Sequence, residues 1–153
     1  MHTYKNKQDY EKMLILLNGL LSGMQIYYQN LRGFHWNIKG EKFFELHEKF
    51  EEWYDDTAQK IDEVAERILM LDGTPLHDFA GYLEKSPVSP AKDISDARKS
   101  IEKVKDDLLT LLHLEREILD RASENNDEGT LAMISGYIGE HEKLLWMIKS
   151  FLT

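Results

Sequence analysis

The sequence predicts an all-α protein folded as a four-helix bundle with one long crossover. Three observations carry this reading. Apolar residues recur three and four apart over four stretches of roughly 25 to 30 residues. Proline is confined to positions 75, 87 and 90, and glycine is sparse inside the periodic stretches. Breaks fall around residues 37–40, 72–90 and 125–127, which cuts the chain into domain-sized helices rather than one long coiled coil. At 153 residues the chain reads as a single domain, 1–153, large enough to bury a core.

The first helix is expected over about residues 9–34. Met13, Leu17, Leu20, Met24, Tyr27, Leu31 and Phe34 form a packing stripe at alternating spacings of four and three. Leu14, Leu21, Tyr28 and His35 make a second line beside it, so His35 continues a buried face. After a turn around 37–40, a second helix is expected over about residues 41–71, near 45 Å long at about 1.5 Å per residue. Phe43, Phe50, Tyr54, Ile61, Val64, Ala65 and Ile68 form its apolar arc, and Lys49, Lys60 and Arg67 are expected to point the opposite way. Asp72-Gly73-Thr74-Pro75 ends it. A long connection over 76–92 follows, with a short helix expected over 77–83. The third helix is expected over about 95–123, with Ile101, Val104, Leu108, Leu111, Leu112, Ile118 and Leu119 inward, and Asn125-Asn126 breaks it. The fourth runs over about 128–152 through Leu131, Ile134, Tyr137, Ile138, Leu144, Leu145 and Ile148. Short first and third links around a long middle one describe the ferritin-like topology.

Bulk composition removes several function classes. No apolar run is long enough for a membrane span and the start, MHTYKNKQDYEK, is polar, so the expectation is a cytoplasmic protein. With no cysteine there are no disulfides, thiolate sites or cysteine nucleophiles; nitrogen and oxygen remain as the strong metal donors, which suits iron or zinc better than copper(I). A formal charge of −9 disfavours a simple nucleic-acid binder and favours attraction of cations.

One array stands out: His35, then His47 with Glu51 four residues on, then Asp62 with Glu66 four residues on. Residues four apart share a helix face, so His47/Glu51 and Asp62/Glu66 are two candidate ligand pairs. Glu51 and Asp62 are eleven residues apart, roughly 16 Å along the axis. One metal cannot be held by both pairs of one chain. A single site needs a second copy running antiparallel, with the metal at a two-fold interface. Imidazole and carboxylate donors with open positions suit iron(II) and leave room for an oxidant. Because only neutral imidazole binds metal, occupancy is expected to fall below about pH 6.5, the ordinary histidine value. The intrachain di-iron design with Glu-x-x-His pairs is absent: Arg32, Phe44, Thr74, Thr110 and Ile138 precede His35, His47, His77, His113 and His141 by three.

The strings FHWNIKG, FFELHEKFEE and IDEVAERI resemble the ferroxidase signature of the Dps family, the mini-ferritins also called DNA-binding proteins from starved cells. The motif block spans about residues 34 to 68, and the helical layout with the closing LLWMIKSFL extends the resemblance over nearly the whole chain. The resemblance implies a hollow homo-dodecamer of four-helix subunits, a ferroxidase that oxidises Fe(II) and stores Fe(III) inside, protecting against oxidative stress. His35, His47, Asp62 and Glu66 match the family's iron ligands, and Glu51 matches its additional acid. Many members carry Asp at that place; with its extra methylene Glu51 is either a direct ligand with displaced oxygens or one that acts from behind the ligands or through water. Trp36 matches an aromatic residue beside the site. Hydrogen peroxide is the oxidant the resemblance favours, with oxygen the other candidate.

Blander readings accompany these. His2, His77, His113 and His141 have no comparable constellation and are expected to be structural or superficial. Trp53 and Trp146 are expected to serve packing. The acids within 124–128 suit the start of a helix, or line an iron-entry pore. The alternative function, a DNA-condensing protein with incidental metal binding, needs a basic tail. Lys5, Lys7 and Lys12 are set against Asp9 and Glu11, and the chain ends on an apolar helix, so direct DNA binding is not expected.

Overall fold

In the computed structural model, which describes residues 3–153, the chain forms α1 (Lys7–Asn37), α2 (Phe43–Met70), α3 (Phe79–Lys85), α4 (Ala97–Glu124) and α5 (Glu128–Leu152). Among the described residues there is no strand, and no helix is long and apolar enough to cross a membrane. Four long helices pack as α1 with α2 and α4 with α5, and the crossover carries α3 back along α1. Met13, Leu17, Leu20, Leu31, Phe50, Val64, Ile68, Leu108, Leu111 and Ile134 are wholly buried at the centre, on the arcs the periodicity marks. His2 lies outside the described residues.

Helix limits differ from the expected ones where side chains cap. Asn6 accepts from the Asp9 amide at 2.8 Å, which starts α1 two residues early. Asp78 accepts from Gly81 at 2.6 Å, which shifts the short crossover helix to Phe79–Lys85. Asp96 and Asp127 cap α4 and α5 in the same way. At the end of α2, Asp72 rather than the glycine takes the left-handed conformation, with φ 64°. Gly73 is needed for space instead: a β-carbon there would stand 2.7 Å from Cδ2 of Leu14 and 3.0 Å from Cγ2 of Ile68. Gly73→Ala should therefore lower stability by about 1–3 kcal/mol. The measurement is a urea titration, whose midpoint should fall at unchanged slope.

Lys60 and Arg67 do not point to solvent as expected. The Lys60 side chain is 5% exposed, with its ammonium on Asp56 and, at 3.3 Å, on Glu140 of α5. Arg67 donates to Asp127 at 2.8 Å and to Thr130 at 2.9 Å. A helix wheel marks the apolar arc but not the groove beside it, where α5 supplies acceptors for long cationic side chains. Asp127 also accepts from the Tyr4 hydroxyl at 2.6 Å, which ties the start of the chain to the α4–α5 link. Burial acts to raise its carboxyl, but the hydrogen bonds from Tyr4 and Thr130 and the charge of Arg67 together hold it below the usual range.

Candidate metal centre

His35 stands near the end of α1 and His47 in the second turn of α2, and the tight link between the helices lays their rings face to face. The ring centroids are 3.8 Å apart at an interplanar angle of 11°. Nδ1 of His35 donates to the His47 carbonyl at 2.6 Å, and Nδ1 of His47 donates to the His35 carbonyl at 2.7 Å. This reciprocal pair keeps the proton of each neutral ring on Nδ1, so that in that form the lone pair lies on Nε2, the arrangement a metal-ligating histidine needs. Phe43 stacks on the outer face of His47 at 4.9 Å, and Tyr54 meets His35 edge-on at 5.4 Å. Two aromatic walls and two carbonyls thus restrict the imidazoles to one orientation.

Glu51, one turn beyond His47, brings Oε1 to 3.8 Å from Nε2 of His35. That gap leaves room for an ion or water between them. The Glu51 side chain is half exposed while that of His35 is 9% exposed, so the cluster opens outward. Desolvation and the neighbouring Glu51 charge raise the Tyr54 phenol, which therefore stays protonated beside the cluster.

Asp62 and Glu66 lie farther along α2, both exposed, and neither has a hydrogen bond or ion pair among the described residues. Glu66 borders a shallow cleft with Glu63, Arg67 and Tyr137. Among the described residues no three His, Asp or Glu side chains of one chain gather into a metal-holding group. The fold stacks His35 on His47 and sets Glu51 beside His35, short of a complete three-donor group, and Asp62 begins about 16 Å beyond Glu51 along α2, as the helical rise dictates. Trp36 is exposed next to His35, with the Arg32 guanidinium 4.8 Å over its ring.

Phe43 and Tyr54 were legible only as members of the apolar arc. Their spacings to His47, four and seven residues, were the available sign that they share its face. His141 is structural rather than superficial, the first of the two expected roles: it is buried against Glu115, a partner that no spacing rule could name because it lies on another helix.

A long-helix bundle with one crossover and an outward-facing imidazole pair defines the class. The family model for the ferritin-like domain matches residues 15–153. Within that class the chain belongs to the Dps family. It is 46% identical over 137 residues to the DNA protection during starvation protein of Porphyromonas gingivalis, covering 90% of this chain and 86% of that one. It is 36% identical over 138 residues to the protein of the same description from Brevibacillus brevis, covering 90% and 93%. Among solved structures, the Dps protein from Vibrio cholerae O1 superposes with a TM-score of 0.94 at 47% identity, over 97% of this chain and 93% of that one. That protein is described as a member of a broad superfamily of ferritin-like diiron-carboxylate proteins.

Proposed function

We propose that this protein is a cytoplasmic ferroxidase that binds Fe(II) at sites shared by two chains, oxidises it and stores Fe(III) inside a dodecameric cage. The carrying observation is the half-site: two tautomer-fixed imidazoles and Glu51 open outward on one chain, while Asp62 and Glu66 stand unpaired about 16 Å along the same helix. An antiparallel copy brings its Asp62 and Glu66 opposite His35, His47 and Glu51, and the two-fold axis creates two such sites per dimer.

Iron is substrate here, not a resident cofactor. The imidazoles bind Fe(II), the carboxylates add the charge that favours the Fe(III) product, and the open positions admit the oxidant. With hydrogen peroxide, two Fe(II) each give one electron; the O–O bond breaks and, with two protons, two waters form. Protection of DNA then follows from removing iron and peroxide together.

Exposed apolar side chains support assembly. Phe44 and Phe79 are 81% and 82% exposed, and Ile15 and Trp146 are each exposed by 64%. Side chains of this size left to water in one chain are available for contacts between chains. Twelve chains of 18.0 kDa come to about 216 kDa. The test is a stepwise Fe(II) titration with peroxide and with oxygen as alternative oxidants, followed by light scattering. A particle near 216 kDa that oxidises iron rapidly at low Fe(II) per chain supports the reading, and a monomer near 18.0 kDa removes it.

Direct DNA binding is not part of this reading. Twelve copies at −9 total about −108, and Tyr4 and the Lys5 amide are held on Asp127 and Asn125. Plasmid mixed with the protein at neutral pH should migrate unchanged in a gel. A shift that survives about 150 mM salt would restore the DNA-condensing alternative.

A further inference from the structure

A file of aromatic rings leads away from the imidazole pair along α1 and α2. Tyr54 meets His35 edge-on at 5.4 Å and Tyr28 edge-on at 5.7 Å. The Arg32 guanidinium then stands 5.3 Å over the Tyr28 ring and 4.8 Å over that of Trp36. Both tyrosines are half-buried, whereas Trp36 is exposed. Phenol and indole are side chains that can give up one electron.

Charge changes sign along this file. Tyr54 feels Glu51 and Asp55 more strongly than Arg32, and carboxylate charge makes an electron easier to remove. At the far end a guanidinium covers the indole, held by the electron-rich face of the intact ring. An oxidised indole is a radical cation, so the positive charge above it opposes that oxidation. A phenol loses its proton with the electron and leaves a neutral radical, on which Arg32 acts much less. Peroxide needs two electrons to become two waters, and each Fe(II) supplies one. A site that holds a single Fe(II) is one electron short, and its product is then hydroxyl radical.

We propose that Tyr54 makes up this shortfall: it donates one electron to the reaction at His35 and shares the resulting hole with Tyr28, while Arg32 bars that hole from Trp36 at the surface. In the balanced step, Fe(II), one phenol, hydrogen peroxide and one proton give Fe(III), a tyrosyl radical and two waters. The O–O bond and the phenol O–H bond break; the phenol proton and one from solvent complete the waters. A later Fe(II) returns the electron, and with one proton the phenol re-forms. The inference rests on the reading of His35 as an iron ligand and adds to it a reaction for the half-loaded site.

The assembled protein is loaded without oxygen at no more than one Fe(II) per chain, mixed with hydrogen peroxide and rapidly frozen. Electron paramagnetic resonance reads organic radicals, a spin trap reads hydroxyl radical, and absorbance of a parallel sample reads Fe(III). The unmodified chain should show a tyrosyl signal and little trapped hydroxyl radical. Tyr54→Phe keeps the ring and its packing but should lose most of the tyrosyl signal, and trapped hydroxyl radical should rise. Arg32→Met should move part of the signal to an indole radical, which Trp36→Phe in the same chain should remove. Each of four results would overturn the proposal: rapid Fe(III) formation with no organic radical, a tyrosyl signal undiminished in Tyr54→Phe, an indole radical already dominant with Arg32 in place, or no indole signal in Arg32→Met. If His35→Ala forms Fe(III) as fast as the unmodified chain, the reading of the site itself fails and the proposal falls with it.

Discussion

His35→Ala and His47→Ala should each slow rapid Fe(II) oxidation by about a hundredfold or more, a loss at least as large as that from removing a group that merely orients a metal ligand. Each change deletes one of two imidazole donors and also frees the other ring. Without His47, the His35 carbonyl loses its donor and His35 loses the face it stacks on at 3.8 Å. The fold should survive. His35 is largely buried within the chain, so its removal leaves a small void at the edge of the bundle and takes one of two hydrogen bonds from the His47 carbonyl, which keeps its bond within α2, a cost of about 1–3 kcal/mol. That is small beside the wholly buried apolar core. Stopped-flow oxidation at low Fe(II) per chain, with circular dichroism and light scattering as controls, reads both halves of the expectation. Undiminished rates in both variants would place oxidation elsewhere, for example on acidic inner surface.

How much of this was legible in sequence depends on the range of the interaction. Local rules did well. Apolar spacing marks the α1 stripe from Met13 to Phe34, which is buried throughout, and the α2 arc, of which Phe50, Val64 and Ile68 are buried and Tyr54, Ile61 and Ala65 are half-buried at its edge. The last helix, Glu128–Leu152, has the limits its periodicity and opening acids imply. The array from His35 to Glu66 was readable because four of its five residues lie on one helix, where distance follows from rise per residue. What escaped depends on contacts between elements. Lys60 and Arg67 look like solvent-facing cations on an isolated wheel; the acceptors Glu140, Asp127 and Thr130 that draw them inward belong to α5. The tautomer lock between His35 and His47 depends on backbone carbonyls that no residue type encodes. Glu115 and His141 are on different helices, 26 residues apart, and meet only because α4 and α5 pack.

The central claim is that one site takes its histidines from one chain and Asp62 and Glu66 from another. Two parent proteins test it: one with His35→Ala and His47→Ala, the other with Asp62→Asn and Glu66→Gln. Neither parent contains an intact site, so both should be nearly inactive in fast Fe(II) oxidation while assembling normally. Unfolded together in equal amounts and refolded, they form mixed dimers at about half of all pairings. In each mixed dimer one site combines histidines from the second parent with carboxylates from the first, and the other site has neither set. About a quarter of wild-type fast oxidation per chain should return. Mixed cages, verified by mass, that recover no activity would contradict the shared site and place all its ligands within one chain.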